Sequence, residues 1–64
     1  MAEFSIGNKI VKLNANGGGY IVEISTARNC WTYKTFGMTA VDYRKALDCF
    51  SGYVREWLSE YEEK

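Results

Sequence analysis

Between Tyr43 and Tyr61 the chain places Tyr43, Ala46, Leu47, Phe50, Tyr53, Val54, Trp57, Leu58 and Tyr61 at steps of three and four residues. That spacing stacks them along one side of an α-helix and cannot be met by the two-residue alternation of a strand. Thr39-Ala40-Val41-Asp42 precedes the run. Thr39 is placed to accept from the free amides of the first turn, and Asp42 stands where a capping-box acid stands. The spacing therefore predicts a helix over residues 40 to 62, about 34 Å long at roughly 1.5 Å per residue. Gly52 falls inside it on the polar side. It costs about 1 kcal/mol relative to alanine there. It reads as a tolerated weak spot, a point of close approach by another chain, or a break into two helices.

Everything else must be built from the residues before Gly37. With Gly37 itself they hold five of the six glycines, and they are rich in β-branched and aromatic types. Lys9–Leu13, Tyr20–Thr26 and Cys30–Phe36 have the composition of strands. Asn14 to Gly19 reads as the turn joining the first two, since Asn and Gly tolerate positive φ. Ala27-Arg28-Asn29 is a tight connection to the third. Gly7-Asn8 interrupts the stretch from Phe4 to Leu13, either as a bulge or as a turn that splits off a short extra strand. The expected fold is α+β, in the order β-β-β-α. It is a three-stranded antiparallel meander (about 9–13, 20–26 and 30–36) with one long C-terminal helix across a face, all in a single domain over 1–64. Its core is expected at Ile10, Val22, Ile24, Tyr43, Leu47, Phe50, Val54 and Trp57.

A chain of 64 residues has room for one small core. No apolar run is long enough to cross a bilayer and no signal-peptide pattern opens the chain, so the expectation is a cytoplasmic, reducing environment. The chain has no His, so no side chain is ready to shuttle protons near neutral pH. Cys30 and Cys49 have no His to activate them or to complete a tetrahedral zinc site, and read as small reduced hydrophobes, as a disulfide tying strand to helix, or as a reactive thiol. Gly17-Gly18-Gly19 is followed by Tyr20-Ile21-Val22, a strand, whereas a phosphate cradle opens a helix. We therefore expect no enzyme, no catalytic residues, no metal, no cofactor, no small-molecule substrate and no membrane partner.

The formal net charge is zero but unevenly placed. Residues 1–37 carry Lys9, Lys12, Arg28 and Lys34 against Glu3 and Glu23. Residues 38–64 carry Asp42, Asp48, Glu56, Glu60, Glu62 and Glu63 against Arg44, Lys45, Arg55 and Lys64. On a helical wheel Asp42, Glu56, Glu60 and Glu63 fall along one edge of the helix. An acidic ridge of this kind reads either as a solvated face or as a surface that meets a basic groove on another protein. Ten of the residues are aromatic. One helix covers only one face of a sheet, so Trp31 and Tyr33 either meet that helix or are left as a contact surface.

Two resemblances follow from these residues. Lys34-Thr35-Phe36-Gly37-Met38-Thr39-Ala40, followed by Ala46, resembles the strand-to-helix junction of plant ethylene-response-factor DNA-binding domains and of phage-type integrase N-terminal domains. That likeness covers about half the chain. It implies sheet-mediated nucleic-acid binding through Lys9, Lys12, Arg28, Trp31, Tyr33 and Lys34. Asp42, Glu56, Glu60, Glu62 and Glu63, beside Tyr53, Trp57 and Tyr61, give the chain the general character of small phage-encoded inhibitors of host enzymes, anti-CRISPR proteins among them. That resemblance implies a non-enzymatic inhibitor whose acidic helix edge occupies the basic groove of a nucleic-acid-handling complex such as a CRISPR effector. Its partner-binding residues would be Asp42, Glu56, Glu60, Glu63, Tyr53 and Trp57. A third reading is a homodimeric subunit that buries its spare aromatic face.

Overall fold

A computed structural model describes residues 2–26 and 31–62. Four strands precede one helix: β1 (Ala2–Ile6), β2 (Lys9–Asn16), β3 (Gly19–Ser25), β4 (Thr32–Phe36) and α1 (Ala40–Glu62). The strands form one antiparallel sheet in chain order. The fold is α+β with the long C-terminal helix on the sheet, as expected, but the sheet has four strands and not three. The additional strand is Ala2–Ile6. Gly7-Asn8 is thus a turn and not a bulge. Ile6 pairs with Lys9 across it, and Gly7 has φ +58° while no non-glycine residue among those described has a positive φ. A glycine at the first central position of a two-residue hairpin is the requirement of a type II′ turn.

The second hairpin is tighter than its composition suggests. β2 runs on to Asn16, which pairs with Gly19, so only Gly17 and Gly18 form the loop. The Asn16 Oδ1 accepts from the Gly18 amide at 2.9 Å, the local side-chain bond that favours Asn in turns. Gly19 has φ +137°, and a Cβ there would lie 2.3 Å from the Phe36 carbonyl oxygen and 2.7 Å from that of Gly37. The start of β3 thus lies against the exit of β4, where only glycine fits. The expected Ala27-Arg28-Asn29 connection and Cys30 lie outside the described residues.

Register assigns each side chain to a face, because directly opposed residues point the same way. Phe4, Val11 and Ile24 share a row, as do Ala2, Leu13, Val22 and Lys34, and both rows face the helix. Val11, Leu13 and Val22 are fully buried there, joined by Ile24 and by Ala46, Phe50 and Trp57 of α1. This corrects the expected core in two places. Ile10 lies one residue out of phase with Val11 and so sits on the opposite face of the sheet. Leu47 is 36% exposed; the line of closest approach runs through Ala46, Phe50 and Trp57, and Leu47 lies off it. A small residue at position 46 lets the helix axis come near the sheet. Tyr43 and Val54 are half-buried at the margins. The helix runs unbroken through Gly52, where an added Cβ would meet nothing within 4 Å.

The helix start is built as its sequence requires. The Asp42 amide donates to the Thr39 Oγ1 at 3.1 Å, while the Asp42 Oδ2 accepts from the Thr39 hydroxyl at 2.7 Å and from its amide at 3.3 Å. The Tyr43 amide donates to the Thr39 carbonyl at 2.9 Å. Two otherwise orphaned amides of the first turn are satisfied reciprocally. The Thr39 hydroxyl, and then its amide, hold the Asp42 carboxyl below the usual carboxylate range.

Candidate interaction surfaces

Lys9 and Lys12 of β2 and Lys34 of β4 look alike in sequence, and the pleat separates them. Lys9 has the parity of Val11 and Leu13, and Lys34 stands opposite Val22. Both therefore project from the helix-covered face. Each reaches an aromatic ring of α1: the Lys9 Nζ lies 5.7 Å from the Trp57 ring centroid and the Lys34 Nζ 5.3 Å from that of Tyr53. Lys9 also meets the Glu60 Oε2 at 2.7 Å. The Tyr53 hydroxyl, and after it the Cys49 thiol, favour the charged form of Lys34 and raise its pKa above the usual lysine value. These cations cover ring faces at the helix margin with their long aliphatic stems.

That arrangement changes the acidic edge. Asp42 is engaged by Thr39, and Glu60 is neutralised by Lys9 although its side chain remains half-exposed. Glu56, between them, is exposed, and no cation is within ion-pair reach of it among the described residues. Tyr53 is half-buried beneath Lys34, and Trp57 belongs to the core at 5% exposure. Glu63 lies outside the described residues. The edge thus offers Glu56 and half of Glu60 to solvent, and the two aromatics expected beside them point mainly inward.

The other face of the sheet has no helix over it. Glu3, Lys12, Glu23 and Tyr33 form one row across all four strands. Asn14, Ile21 and Thr35 form the next row, and Ser5, Ile10 and Ser25 the row on the other side. Trp31 has the parity of Tyr33, and the Lys12 Nζ sits 5.2 Å from its ring centroid. Trp31 is 39% and Tyr33 53% exposed, while Ile10 and Ile21 are half-buried between polar neighbours. The Asn14 amide group donates to the Glu23 Oε2, which fixes one carboxylate in the middle of the face. The Lys12 ammonium thus lies over the Trp31 ring, a contact that favours this placement of the indole by about 0.5 to 1 kcal/mol at an exposed site.

Of the residues expected for a nucleic-acid platform, this face brings together Lys12, Trp31 and Tyr33. Lys9 and Lys34 are on the far side, and Arg28 lies outside the described residues. Residues that sequence reasoning did not assign to a surface, Ile10, Ile21 and Glu23, complete it. The pattern that identifies them is the alternation within Tyr20–Ser25: once Val22 and Ile24 are inward, Ile21 and Glu23 are outward. Among the described residues Cys49 is a half-buried free thiol, and no helix is long and apolar enough to cross a membrane. No protein-family model, no curated protein and no solved structure matches the chain.

Proposed function

We propose that this protein is a non-enzymatic protein-binding module that meets its partner through the uncovered face of its sheet. The observation that carries this reading is the pair Trp31 and Tyr33, 39% and 53% exposed on a face that the chain's single helix does not reach. Aromatic side chains on rigid strands lose little freedom on binding and supply much of the energy at protein interfaces. Ile10 and Ile21 extend the apolar area, and among the described residues Glu3 and Glu23 outnumber Lys12 on this face. The complementary partner is a protein whose apolar contact is rimmed by basic residues. Phosphate backbones are disfavoured on such a face, since their affinity follows the number of cations brought to them.

A second reading keeps the acidic helix edge as the contact, with the protein inhibiting a nucleic-acid-handling complex by filling its basic groove. Glu56 and Glu60, one turn apart and both solvent-facing, favour it. One experiment separates the two. Tagged protein is used to capture partners from cell lysate, and capture by Tyr33→Ala is compared with capture by Glu56→Lys/Glu60→Lys. The sheet-face reading expects Tyr33→Ala to lose a partner that the double charge reversal retains. Retention by Tyr33→Ala with loss on charge reversal would overturn it in favour of the acidic edge. A gel-shift series at low salt checks the nucleic-acid alternative, for which no shift is expected.

A further inference from the structure

The two flanks of α1 differ in kind. The flank bearing Cys49 and Tyr53 faces β4, as the contact of Tyr53 with Lys34 shows. The opposite flank therefore faces β1, the strand that the helix covers least. Leu47, Val54 and Leu58 lie along it, outside the buried line of Ala46, Phe50 and Trp57. Leu47 and Leu58 are 36% and 39% exposed. Phe4 and Ile6 of β1 are half-buried on the same side of the sheet. This apolar strip is separate from the face assigned above to a protein partner.

The strip's solvent-side rim names its occupant. It carries Arg44, Asp48, Arg55 and Glu62, in that order along the helix. Turned end for end about a point between Gly52 and Tyr53, this flank becomes its own complement. Leu47 then faces Leu58 of a second copy and Ser51 faces Val54, while Arg44 comes within one residue of Glu62 and Asp48 within two of Arg55, about 1.5 and 3 Å along the axis and within reach of these side chains. A parallel arrangement would instead carry the two rims to opposite sides of the seam, where none of these charged pairs could form. Within one chain Arg44 and Asp48 meet only at 3.8 Å and are largely exposed, so both are available for a partner at little cost.

We propose that a second copy of this chain docks on the β1-side flank of α1, its helix antiparallel, to form a two-fold symmetric dimer. The operation is self-complementary in shape and charge, as a closed two-fold interface must be. It also sets the two β1 edges side by side, which shields an edge strand that carries no inward-pointing charge. Each rim pair occurs twice, so a single charge reversal is felt twice.

Sedimentation equilibrium from about 1 μM to about 500 μM covers the affinities of a small interface. The wild type is expected to pass from 7.3 kDa to twice that mass. Leu58→Glu, at an exposed position, is expected to remain monomeric with its helix intact by circular dichroism. Arg44→Glu is expected to weaken association roughly tenfold, and Arg44→Glu/Glu62→Arg to restore it. A monomeric wild type throughout, or a dimer that survives Leu58→Glu, would overturn the proposal. Failure of the double exchange to rescue would overturn the antiparallel pairing. A dimer lost on Tyr33→Ala but kept in Leu58→Glu would place self-association on the sheet face instead, which is a different outcome from loss of a foreign partner there.

Discussion

Phe50→Ala and Leu47→Ala test the register of the helix against the sheet, because three residues separate a core side chain from a flanking one. Phe50 is 8% exposed and packed among Val11, Leu13 and Val22, whereas Leu47 is 36% exposed. A buried phenylalanine removes roughly 150 to 250 Å² from water, and at about 25 cal/mol per Å² its loss alone is worth about 4 to 6 kcal/mol. Mutational experience of roughly 3 to 5 kcal/mol for Phe→Ala agrees. Leu47→Ala removes three carbons, worth about 2.4 kcal/mol if fully buried at roughly 0.8 kcal/mol each. With part of the side chain already in water and no closed cavity left behind, about 1 kcal/mol is expected. A domain this small has about 3 to 10 kcal/mol in all, so Phe50→Ala consumes most of it and Leu47→Ala does not. Urea titration followed by far-ultraviolet circular dichroism reads both, at low micromolar protein so that self-association does not contribute. Equal losses, or a larger one for Leu47→Ala, would mean that α1 is rotated from the orientation described and that the flank proposed for the dimer is misplaced.

Two further perturbations probe the junctions that hold the layers together. Gly19→Ala must place a methyl group against the Phe36 and Gly37 carbonyls in backbone geometry that L-residues avoid, so a loss of about 3 kcal/mol is expected from the urea midpoint; a change within experimental error would refute the close approach of β3 to the β4 exit. Thr39→Ala removes the cap of α1 and is expected to cost about 1 kcal/mol at neutral pH. Asp42 links that cap to pH. Its carboxyl is depressed by Thr39 in the fold, so its contribution is complete above the ordinary carboxylate pKa of 3.8 and is lost as pH falls through the lower folded value. The difference in urea midpoint between wild type and Thr39→Ala should therefore narrow from neutral to acidic pH, down to the part owed to the Asp42 amide bond to the Thr39 Oγ1, and parallel curves would refute the linkage.

The helix and its cap were legible because their determinants are local. A nine-residue apolar stripe at helical spacing, with Thr39 and Asp42 three apart before it, specifies α1 without reference to the rest of the chain. The strands were less so. Ala2–Ile6 alternates as AEFSI, but five residues carry little periodic information, and the strand gains its meaning only from pairing Phe4 with Val11. The choice between Ile10 and Val11 as core could not be made from β2 alone, since Lys9-Ile10-Val11-Lys12-Leu13 is consistent with either parity. Register with β3, a non-local property, decides it. The same ambiguity scattered the functional candidates. Lys9, Lys12 and Lys34 look alike in sequence, and one pleat step sends Lys12 to the open face and the other two to the helix. A helical wheel sets Asp42, Glu56 and Glu60 along one edge, yet Lys9, the partner of Glu60, stands 51 residues earlier and is invisible to any helical-wheel reasoning.

Those displaced cations also explain why the open face, and not the acidic edge, supports the functional reading best. On the helix side nearly every feature has an internal partner: Asp42 with Thr39, Glu60 with Lys9, Tyr53 with Lys34, Tyr20 with Tyr43 at 4.9 Å between ring centroids. Contacts satisfied within the chain must be broken before they serve a partner, and that loss subtracts from binding. On the open face the opposite holds. The Lys12–Trp31 contact and the Asn14–Glu23 bond orient side chains without covering Tyr33 or the outer side of Trp31. A sheet with one helix must leave one face uncovered, and solubility alone would be served by charge and threonine there. Tyr33 at the centre of the outer strand, with the Trp31 indole beside it, adds apolar area where folding gains nothing from it. Such area is retained at a surface when a partner covers it. Replacing Tyr33 should therefore leave folding stability nearly unchanged while removing partner capture, whereas a residue kept only for packing would lose both together.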